Sequence, residues 1–391
     1  MNSFTYWSPT KVIFGADTAG NAGKEVKEFG GTRALVIYGV GSAIKSGVLD
    51  TVTRSLADEG IASFRVGGVK PNPDVGFAQQ IVDDYMDKSI DFVLGVGGGS
   101  AIDTAKAVAH GLANPGVMVW DFISAKVPVT VSLPIGAILT ISAAGSETST
   151  SSVLTNKAIG IKRGINTQFN RPRFAIMDPT LTYSLPRHQT SCGVADILMH
   201  TLDRYFAPDA ANLITDALAE ALMRVIIDNG VIALENPDDY GARSELMWAG
   251  SLSHNGLTGL GNTLEFSVHQ LGHALSARYD IAHGDSLTAM WPAWARYVYQ
   301  KDIPRFAGYA RNVWHISAAE DREAAEAGID ATIEYFRKIE MPVTITHAIG
   351  DRVKEDIDIL ADLCSYNKTR TIGSFMVLGS EEIREIYKSA L

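Results

Sequence analysis

Hydrophobic positions in the first half of the chain alternate between short continuous runs and runs with helical spacing. The continuous runs predict buried strands over 34–38, 61–66, 92–96 and 135–141. Spacings of three and four residues predict helices over 42–59, through 81–85 and over 101–112. Strand–helix–strand alternation of this length is typical of parallel strands joined by right-handed crossovers. The first half therefore predicts an α/β domain with a parallel sheet.

After about residue 186 the pattern changes to long segments with helical periodicity. These segments are 194–206, 211–228, 242–254, 263–279, 286–299 and 318–339. Strand-like alternation nearly vanishes there, which predicts an all-α second domain. Prolines interrupt regular structure between Asp178-Pro179 and Leu185-Pro186. We therefore expect an α/β domain over 1–185 and an all-helical domain over 186–391.

Composition and charge exclude several classes of protein. Of 391 residues, 46% are hydrophobic and 20% charged, which excludes wholesale disorder. With 34 basic and 44 acidic side chains the net charge is −10, which argues against a dedicated nucleic-acid or anionic-membrane binder. Two distant cysteines fit a reducing compartment. The first residues lack the pattern of a secretory signal, and no apolar run reaches about 18 residues. We expect a cytoplasmic protein.

Glycine-rich turns follow two of the predicted strands. Gly97-Gly98-Gly99-Ser100 ends the strand 92–96 and opens a helix. In such a turn the backbone approaches a phosphate closely, and the N–H groups and the helix dipole face the anion. Gly39-Val40-Gly41-Ser42 offers a second turn, but Ile44 stands at the sixth position, so the usual G-x-G-x-x-G fingerprint is not met. We expect dinucleotide binding without that fingerprint.

A set of histidines and one aspartate has the spacing of metal ligands. Asp196 and His200 lie four residues apart in a predicted helix, as do His269 and His273, so each pair occupies one helix face. His283 follows shortly after the second pair. A lone pair of this kind is more often a solvated face, but two pairs and a fifth residue favour a metal site. Imidazole and carboxylate ligands suit Zn(II), Fe(II) or Mn(II).

Two neighbouring features qualify this interpretation. The segment from His269 to His273 approaches the zinc-protease pattern H-E-x-x-H, but Gln270 replaces the general-base glutamate and cannot take a proton from water. A metalloprotease is therefore disfavoured. Cys192, one turn before Asp196, is a possible soft ligand, although a small buried residue is the more common role for a cysteine.

Together these motifs resemble the iron-containing alcohol dehydrogenase family, and within it the NADPH-dependent butanol dehydrogenase-like branch. The resemblance covers essentially the whole chain. It is carried by Asp196-x-x-x-His200, His269-x-x-x-His273, His283, Gly97-Gly98-Gly99-Ser100-Ala101-Ile102-Asp103 and, for the branch, Tyr38-Gly39-Val40-Gly41-Ser42. It implies a Rossmann-like dinucleotide-binding domain followed by an all-α domain, in a dehydroquinate synthase-like architecture.

The resemblance also implies roles for single residues. The metal ligands map onto Asp196, His200, His269 and His283, and His273 matches the family's non-ligand histidine near the substrate, placed to relay a proton. The implied cofactor-binding positions are Gly39, Ser42, Lys45, Asn72, Gly97, Gly98, Gly99, Ser100, Asp103, Thr140, Ser149 and Lys162. The loop Ser142-Ala143-Ala144 departs from relatives, which often carry a proline or an extra threonine there.

The implied activity is hydride transfer between NADP(H) and a primary alcohol or aldehyde, with a short aliphatic substrate such as butanol or butanal and one divalent metal, most often Fe(II). We expect NADP(H) to be preferred over NAD(H), because Gly39 stands where NAD-preferring relatives often have aspartate, and because Ser42 and Lys45 can meet an extra phosphate. A homodimer is expected from the resemblance. The alternatives are a glycerol dehydrogenase-like or other polyol oxidoreductase, a dehydroquinate synthase-like lyase, a metalloprotease and a non-catalytic nucleotide-binding protein.

Overall fold

The computed structural model describes residues 1–208 and 212–391, and only the backbone of Ser42. The strands are β1 Lys11–Phe14, β2 Arg33–Gly39, β3 Ala62–Val69, β4 Phe92–Gly97, β5 Ile135–Leu139, β6 Ser151–Asn156, β7 Ile161–Asn166 and β8 Phe174–Met177. The helices of the first half are α1 Ala22–Glu28, α2 Ser42–Lys45, α3 Val48–Asp58, α4 Val75–Tyr85, α5 Gly99–Ala113 and α6 Val119–Ile123. Those that follow are α7 Arg187–Tyr205, α8 Leu213–Glu235, α9 Tyr240–His254, α10 Ser267–Tyr279, α11 His283–Val298, α12 Ile303–Trp314, α13 Asp321–Lys338, α14 Ile345–Ile349, α15 Ile357–Cys364 and α16 Ser380–Ser389.

Six parallel strands form the main sheet, in the order β1-β8-β5-β4-β2-β3. Alternate residues of β2 pack to opposite faces, Ala34 and Val36 against α1 and α3, Leu35 and Ile37 against α4 and α5. Because both faces are covered by helices, the central strands are apolar throughout and appear in the sequence as continuous hydrophobic runs. The predicted α/β class with a parallel sheet and a mostly helical second part is confirmed.

The predicted helix over 42–59 is wrong in one respect, because the structure breaks it into α2 and α3. Gly47, between them, has φ of 76°, in the left-handed region that glycine adopts without a steric penalty. The N–H of Gly47 bonds to the carbonyl of Ile44 at 3.1 Å, which closes the short first helix. The predicted helix start at Ala211 lies outside the described residues.

The chain divides into two compact units, which we call the α/β unit and the helical unit. The α/β unit comprises 7–185 and 237–255, and the helical unit comprises 1–6, 186–236 and 256–391. Helix α9 belongs to the α/β unit because the Ser251 hydroxyl donates to Glu147 at 2.5 Å and the His254 ring donates to the Ala144 carbonyl at 2.7 Å. The predicted domains share with these units the boundary after residue 185 and differ from them at 1–6 and 237–255.

Large aromatic side chains fill the core of the helical unit. Trp294, Phe206 and Phe306 are fully buried, and the rings of Phe206 and Phe306 stack with their centroids 4.2 Å apart. Such rings supply much of the apolar area that helices without a sheet must bury against one another. Across the described residues, no helix combines the length and the apolar character needed to cross a membrane.

Candidate active site

The two glycine-rich turns lie beside each other at the carboxyl edge of the main sheet. Gly39 ends β2 and Gly97 ends β4, and the two strands are neighbours, with Tyr38 paired to Val96. The chain passes from β2 to β3 on one side and returns to β4 on the other, so this is the point at which the strand order reverses. In open α/β sheets, ligands bind outside the carboxyl ends of the strands at that point. The topology thus brings together two predicted phosphate-binding segments.

Glycine is required by geometry in the second of these turns. Gly97 has φ of 151°, and a Cβ atom there would lie 2.9 Å from that of Ala101. A Cβ atom on Gly98, the N-cap of α5, would lie 3.0 Å from the Ile141 side chain. The first N–H groups of a helix lack partners within the helix. Small residues thus bring the amino end of the 15-residue helix α5, which begins Gly99-Ser100, close to any ligand at this edge.

Three further cofactor candidates extend the same edge. The N–H of Thr140, directly after β5, donates to the carbonyl of Gly97 at 3.0 Å. Asn72, beyond the end of β3, accepts a hydrogen bond at 2.9 Å from the ammonium group of Lys162 on β7, and both side chains are buried. Asn72 has φ of 52°, a left-handed conformation that asparagine tolerates better than most residues. Lys162 thus meets Asn72 although 90 residues separate them.

Asp103 and Ser149 belong to an internal network instead of presenting free polar groups to the glycine turns. Asp103 accepts from the Ser146 hydroxyl at 2.6 Å and from the Val153 N–H at 2.9 Å. Lys106, fully buried, donates to Ser146, to Ser149 and to the carbonyl of Ser151. Burial lowers the pKa of Lys106 to about 8 and raises that of Asp103. The network fixes the loop 146–151, and cofactor binding by Asp103 and Ser149 stays a prediction.

The remaining cofactor candidates follow β2. Lys45 is exposed at the end of α2, and its N–H bonds to the carbonyl of Gly41 at 3.0 Å. The side chain of Ser42 lies outside the described residues.

The predicted metal ligands converge on one carboxylate of the helical unit. The Oδ1 atom of Asp196 lies 3.1 Å from Nδ1 of His200, 3.8 Å from Nε2 of His269 and 3.8 Å from Nε2 of His283. Asp196 and His200 are on α7, His269 is on α10, and His283 is the first residue of α11. Asp196, His200 and His269 offer ligand atoms that all lie within 4.8 Å of one another. Three helices therefore bring one carboxylate and three imidazoles together, with Nε2 of His269 and of His283 and Nδ1 of His200 nearest to Asp196 Oδ1.

The donor set fits a divalent metal on grounds independent of its spacing. Nε2 of His269 is buried and has no hydrogen-bond partner among the described residues, which is costly unless another group occupies it. Nδ1 of the same ring donates to Asp203 at 2.5 Å, so in the neutral ring Nε2 carries the lone pair. Nδ1 of His200 bonds to the main-chain carbonyl of Asp196 at 2.9 Å, which leaves its Nε2 as the acceptor. Both tautomers are those of metal-ligating histidines.

The electrostatics of the group also favour a cation. Burial alone would raise the pKa of Asp196, but the three imidazoles outweigh burial, and its pKa lies well below the ordinary value. Burial lowers the pKa of His200, which keeps the ring neutral and able to bind a metal. Burial likewise lowers the pKa of His269, but Asp203 and Asp196 overcome it and raise that pKa.

Contacts behind the ligands hold the three helices in place. The guanidinium of Arg204 donates to the carbonyl of His200 at 2.8 Å and lies 4.7 Å from the ring centroid of Phe266. Phe266 is the N-cap of α10 and has φ of 58°, a strained value for an aromatic residue. On α11, a Cβ atom at Gly284 would lie 2.6 Å from Cα of Cys192 on α7, so the two backbones approach as closely as glycine permits.

His273 lies next to this group. It is buried one turn after His269 on α10, and its ring centroid lies 6.4 Å from that of His269 and 5.5 Å from that of His283. The rings of His269 and His283 are 5.3 Å apart, a similar distance, and the non-ligand role of His273 stays a prediction.

Sequence reasoning missed three residues that matter here. Asp203 follows Asp196 by seven residues, and this spacing, with His200 between them, puts all three on one helix face. Lys106 follows Asp103 by three residues in a largely buried helix, which is an unusual place for a cation. Arg204 carries no comparable signal, because its partner Phe266 lies far along the chain.

Comparisons with known proteins agree with this arrangement. Residues 9–179 match the model of iron-containing alcohol dehydrogenases, and residues 190–391 match that of the C-terminal part of the Fe-containing alcohol dehydrogenase family. The chain is 38% identical to NADH-dependent butanol dehydrogenase A of Clostridium acetobutylicum over 100% of both chains. It is 31% identical to an NADPH-dependent aldehyde reductase of Escherichia coli, over 88% of this chain and 89% of that protein.

A solved structure gives the same result. NADH-dependent butanol dehydrogenase A of Thermotoga maritima is 36% identical and superposes with a TM-score of 0.95, covering 100% of this chain and 99% of the other. Full-length matches of this quality determine family as well as fold. The chain therefore belongs to the iron-containing alcohol dehydrogenase family and is an alcohol dehydrogenase oxidoreductase.

Proposed function

We propose that this protein interconverts short aliphatic primary alcohols and aldehydes, such as butanol and butanal, with NADP(H) as the preferred cofactor. One divalent metal, with Fe(II) as the first candidate, is bound by Asp196, His200, His269 and His283. The observation that carries the proposal is the approach of Nε2 of His269 and Nε2 of His283 to Asp196 Oδ1, together with the orphaned Nε2 of His269. We also propose that the protein forms a homodimer and is located in the cytoplasm.

The residues divide the work of the reaction. A bound divalent metal supplies Lewis acidity toward the substrate oxygen. Asp196 contributes the one negative charge of the ligand set, and Asp203 keeps the proton of His269 on Nδ1. His273, close to the ligands and not among them, relays the proton that the substrate oxygen loses on oxidation or gains on reduction.

The glycine turns at the carboxyl edge of the sheet bind the cofactor's phosphates, and Asn72, Thr140 and Lys162 contribute polar groups along the same edge. Asp103 and Ser149 support the loop behind it. Hydride passes between the nicotinamide ring and the substrate carbon, so the protein's part in this step is to orient the two partners.

The proposed NADP(H) preference rests on the end of β2. A carboxylate at that position bonds the ribose hydroxyls of NAD and repels the extra phosphate of NADP. This chain has Gly39 there, and a Cβ atom at Gly39 would meet only the carbonyl of Val69, at an ordinary 3.7 Å. Packing therefore does not require glycine, and its presence leaves room for a larger, charged group. Exposed Lys45 at the end of α2 supplies a cation. The names of the relatives include both cofactors, so this preference depends on the residues themselves.

The cofactor experiment compares kcat/KM for NADPH and NADH with butanal in the parent protein and in Gly39→Asp. Two unit charges about 4 Å apart interact by about 1–4 kcal/mol near a protein surface. In Gly39→Asp the ratio of kcat/KM for NADPH to kcat/KM for NADH should therefore fall at least about fivefold. Gly20→Asp is the matched control, because Gly20 also has open space for a Cβ atom but lies outside the turn. A parent enzyme that uses NADH as well as NADPH would overturn the preference.

A second experiment tests the metal and the substrate class. Chelation should abolish butanal reduction, and Fe(II) or Zn(II) should restore it. Full activity in protein shown by elemental analysis to be metal-free would refute the role of the four ligands. A panel of butanol, butanal and glycerol distinguishes the proposed activity from a polyol dehydrogenase, which would prefer glycerol.

A further inference from the structure

A second group of metal-ligating side chains lies outside the group around Asp196. Among the described residues, His188, Cys192 and Asp285 offer ligand atoms that all lie within 4.8 Å of one another. His188 and Cys192 are one turn apart in the first half of α7, and Asp285 is in the first turn of α11. Neither His188 nor Asp285 was singled out by the sequence, because Asp285 lies on a different helix from His188 and Cys192.

The three ligand atoms lie close together, and Nε2 of His188 is the one nearest to both of the others. Nε2 of His188 lies 2.9 Å from Oδ1 of Asp285 and 3.7 Å from Sγ of Cys192, and that sulfur lies 3.9 Å from the same oxygen. In a catalytic Cys–His–Asp triad the histidine uses one nitrogen for each partner. Here Nε2, the nitrogen that bonds to Asp285, is also the one nearer to the sulfur, at 3.7 Å against 4.0 Å for Nδ1. Burial and the neighbouring Asp285 also raise the pKa of the Cys192 thiol, which disfavours a free nucleophilic thiolate.

The distances suit a tetrahedral cation. With zinc–sulfur and zinc–nitrogen distances of about 2.3 Å and about 2.0 Å, the sulfur and nitrogen of a tetrahedral site lie about 3.5 Å apart. The observed Sγ–Nε2 distance of 3.7 Å is close to that value. The nitrogen–oxygen pair needs to open from 2.9 Å to about 3.3 Å, which replaces their hydrogen bond by two bonds to the cation.

We propose that Nε2 of His188, Sγ of Cys192 and Oδ1 of Asp285 bind a divalent cation of the zinc class, with a water molecule as the fourth ligand. Cysteine, histidine and aspartate are all zinc ligands, and three protein ligands leave one open position. The side chain of His188 is 55% exposed, so the cation enters directly from solvent. Binding releases the thiol proton and joins the amino ends of α7 and α11.

A sulfur ligand distinguishes this site from the first one experimentally. The set Asp196, His200, His269 and His283 contains no sulfur, so cobalt bound there gives no thiolate-to-cobalt charge-transfer absorption. Titration of the metal-stripped, full-length protein with Co²⁺ should therefore produce that near-ultraviolet band in a step that saturates at one equivalent per chain. Zn²⁺ added afterwards should abolish the band.

Two variants, each with a matched control, test the assignment. The band should disappear in Cys192→Ser and persist in the matched control Cys364→Ser, since Cys364 is the other free cysteine and is buried. His188→Ala, at an exposed position, should weaken cobalt binding to this site by more than the roughly 10- to 100-fold that loss of an outer-sphere partner costs. His347→Ala, another exposed histidine near a helix start, is its control.

Three results would overturn the proposal. They are the absence of a sulfur band at saturating Co²⁺, its persistence in Cys192→Ser, and its loss in Asp196→Asn with Cys192 intact, which would make Cys192 a ligand of the first site. None of these readouts depends on turnover. Failure of the second site is thus distinguishable from failure of the proposed dehydrogenase function.

Discussion

Replacement of Asp203 by asparagine tests how the protein prepares His269 for a metal. Asp203 is 1% exposed, and its carboxylate accepts the Nδ1 proton of His269 at 2.5 Å. An amide of nearly the same shape can accept this proton through oxygen or, after a flip, donate through nitrogen to Nδ1. In the second arrangement the ring proton moves to Nε2, and a protonated Nε2 cannot bind a metal.

The expected loss of metal affinity follows from these two effects. Removal of an outer-sphere carboxylate typically costs 10- to 100-fold in affinity, or about 1.4–2.8 kcal/mol. We expect the upper part of that range, because the pair is buried and because Asp203 also raises the basicity of His269. Turnover at saturating metal should fall less than affinity, since all four proposed ligands remain.

The assay is competition for Zn²⁺ against a chromophoric chelator, with folding monitored by circular dichroism. Asp216→Asn is the control, because Asp216 is a buried aspartate of the same unit that pairs with Arg305 at 2.6 Å and lies outside the ligand group. It should lower stability and leave metal affinity unchanged. A dissociation constant for Asp203→Asn within twofold of the parent value would refute the argument that this carboxylate sets the tautomer.

Two further predictions concern histidines that are not proposed as ligands. His273→Ala should retain its metal by elemental analysis and lose about 10²- to 10⁴-fold in kcat, the usual contribution of a general acid–base group, whereas loss of the metal would make His273 a ligand. His110 is buried and bonded to Asn170 and Ser132, and burial lowers its pKa to about 4 from 6.5. The unfolded chain therefore takes up this proton at higher pH than the native protein. The neutral His110 ring therefore contributes its full stabilisation above pH 6.5. As the pH falls toward 4, the free energy of unfolding decreases by roughly 3 kcal/mol through this group. The free energy of unfolding, measured in urea at pH 7 and at pH 4.5, should decrease less between the two pH values in His110→Gln than in the parent protein. Equal decreases would contradict the assignment of this pH dependence to His110.

Periodicity in the sequence was enough to predict the fold class and to group the candidate ligands. A spacing of four residues places two side chains on one helix face, so the pairing of Asp196 with His200 could be predicted from the sequence alone. Packing between helices does not follow from such spacing. This is why His188 and Asp285, 97 residues apart, were not connected in advance.

Local conformation was the other source of error. Gly47 interrupts a strong helical pattern only because its φ is positive, and glycine within such a pattern is equally compatible with a continuous helix. The hairpin of β6 and β7 was not predicted, because its strands are rich in polar residues and so lack a clear apolar alternation.

The close approach at Gly284 fixes the distance between the two helices that carry residues of both proposed ligand groups. A contact between backbones cannot be relaxed by a change of rotamer, so α7 and α11 keep one separation whatever side chains or ions lie between them. Asp196 and Cys192 on one helix, and His283 and Asp285 on the other, therefore share a single fixed spacing. Because these two helices cannot move apart, either proposed site can adjust to the radius of an ion only through its side chains. Discrimination between Fe(II), Zn(II) and Mn(II) would then depend on the side-chain positions that this spacing allows, since all three ions tolerate the ligand types.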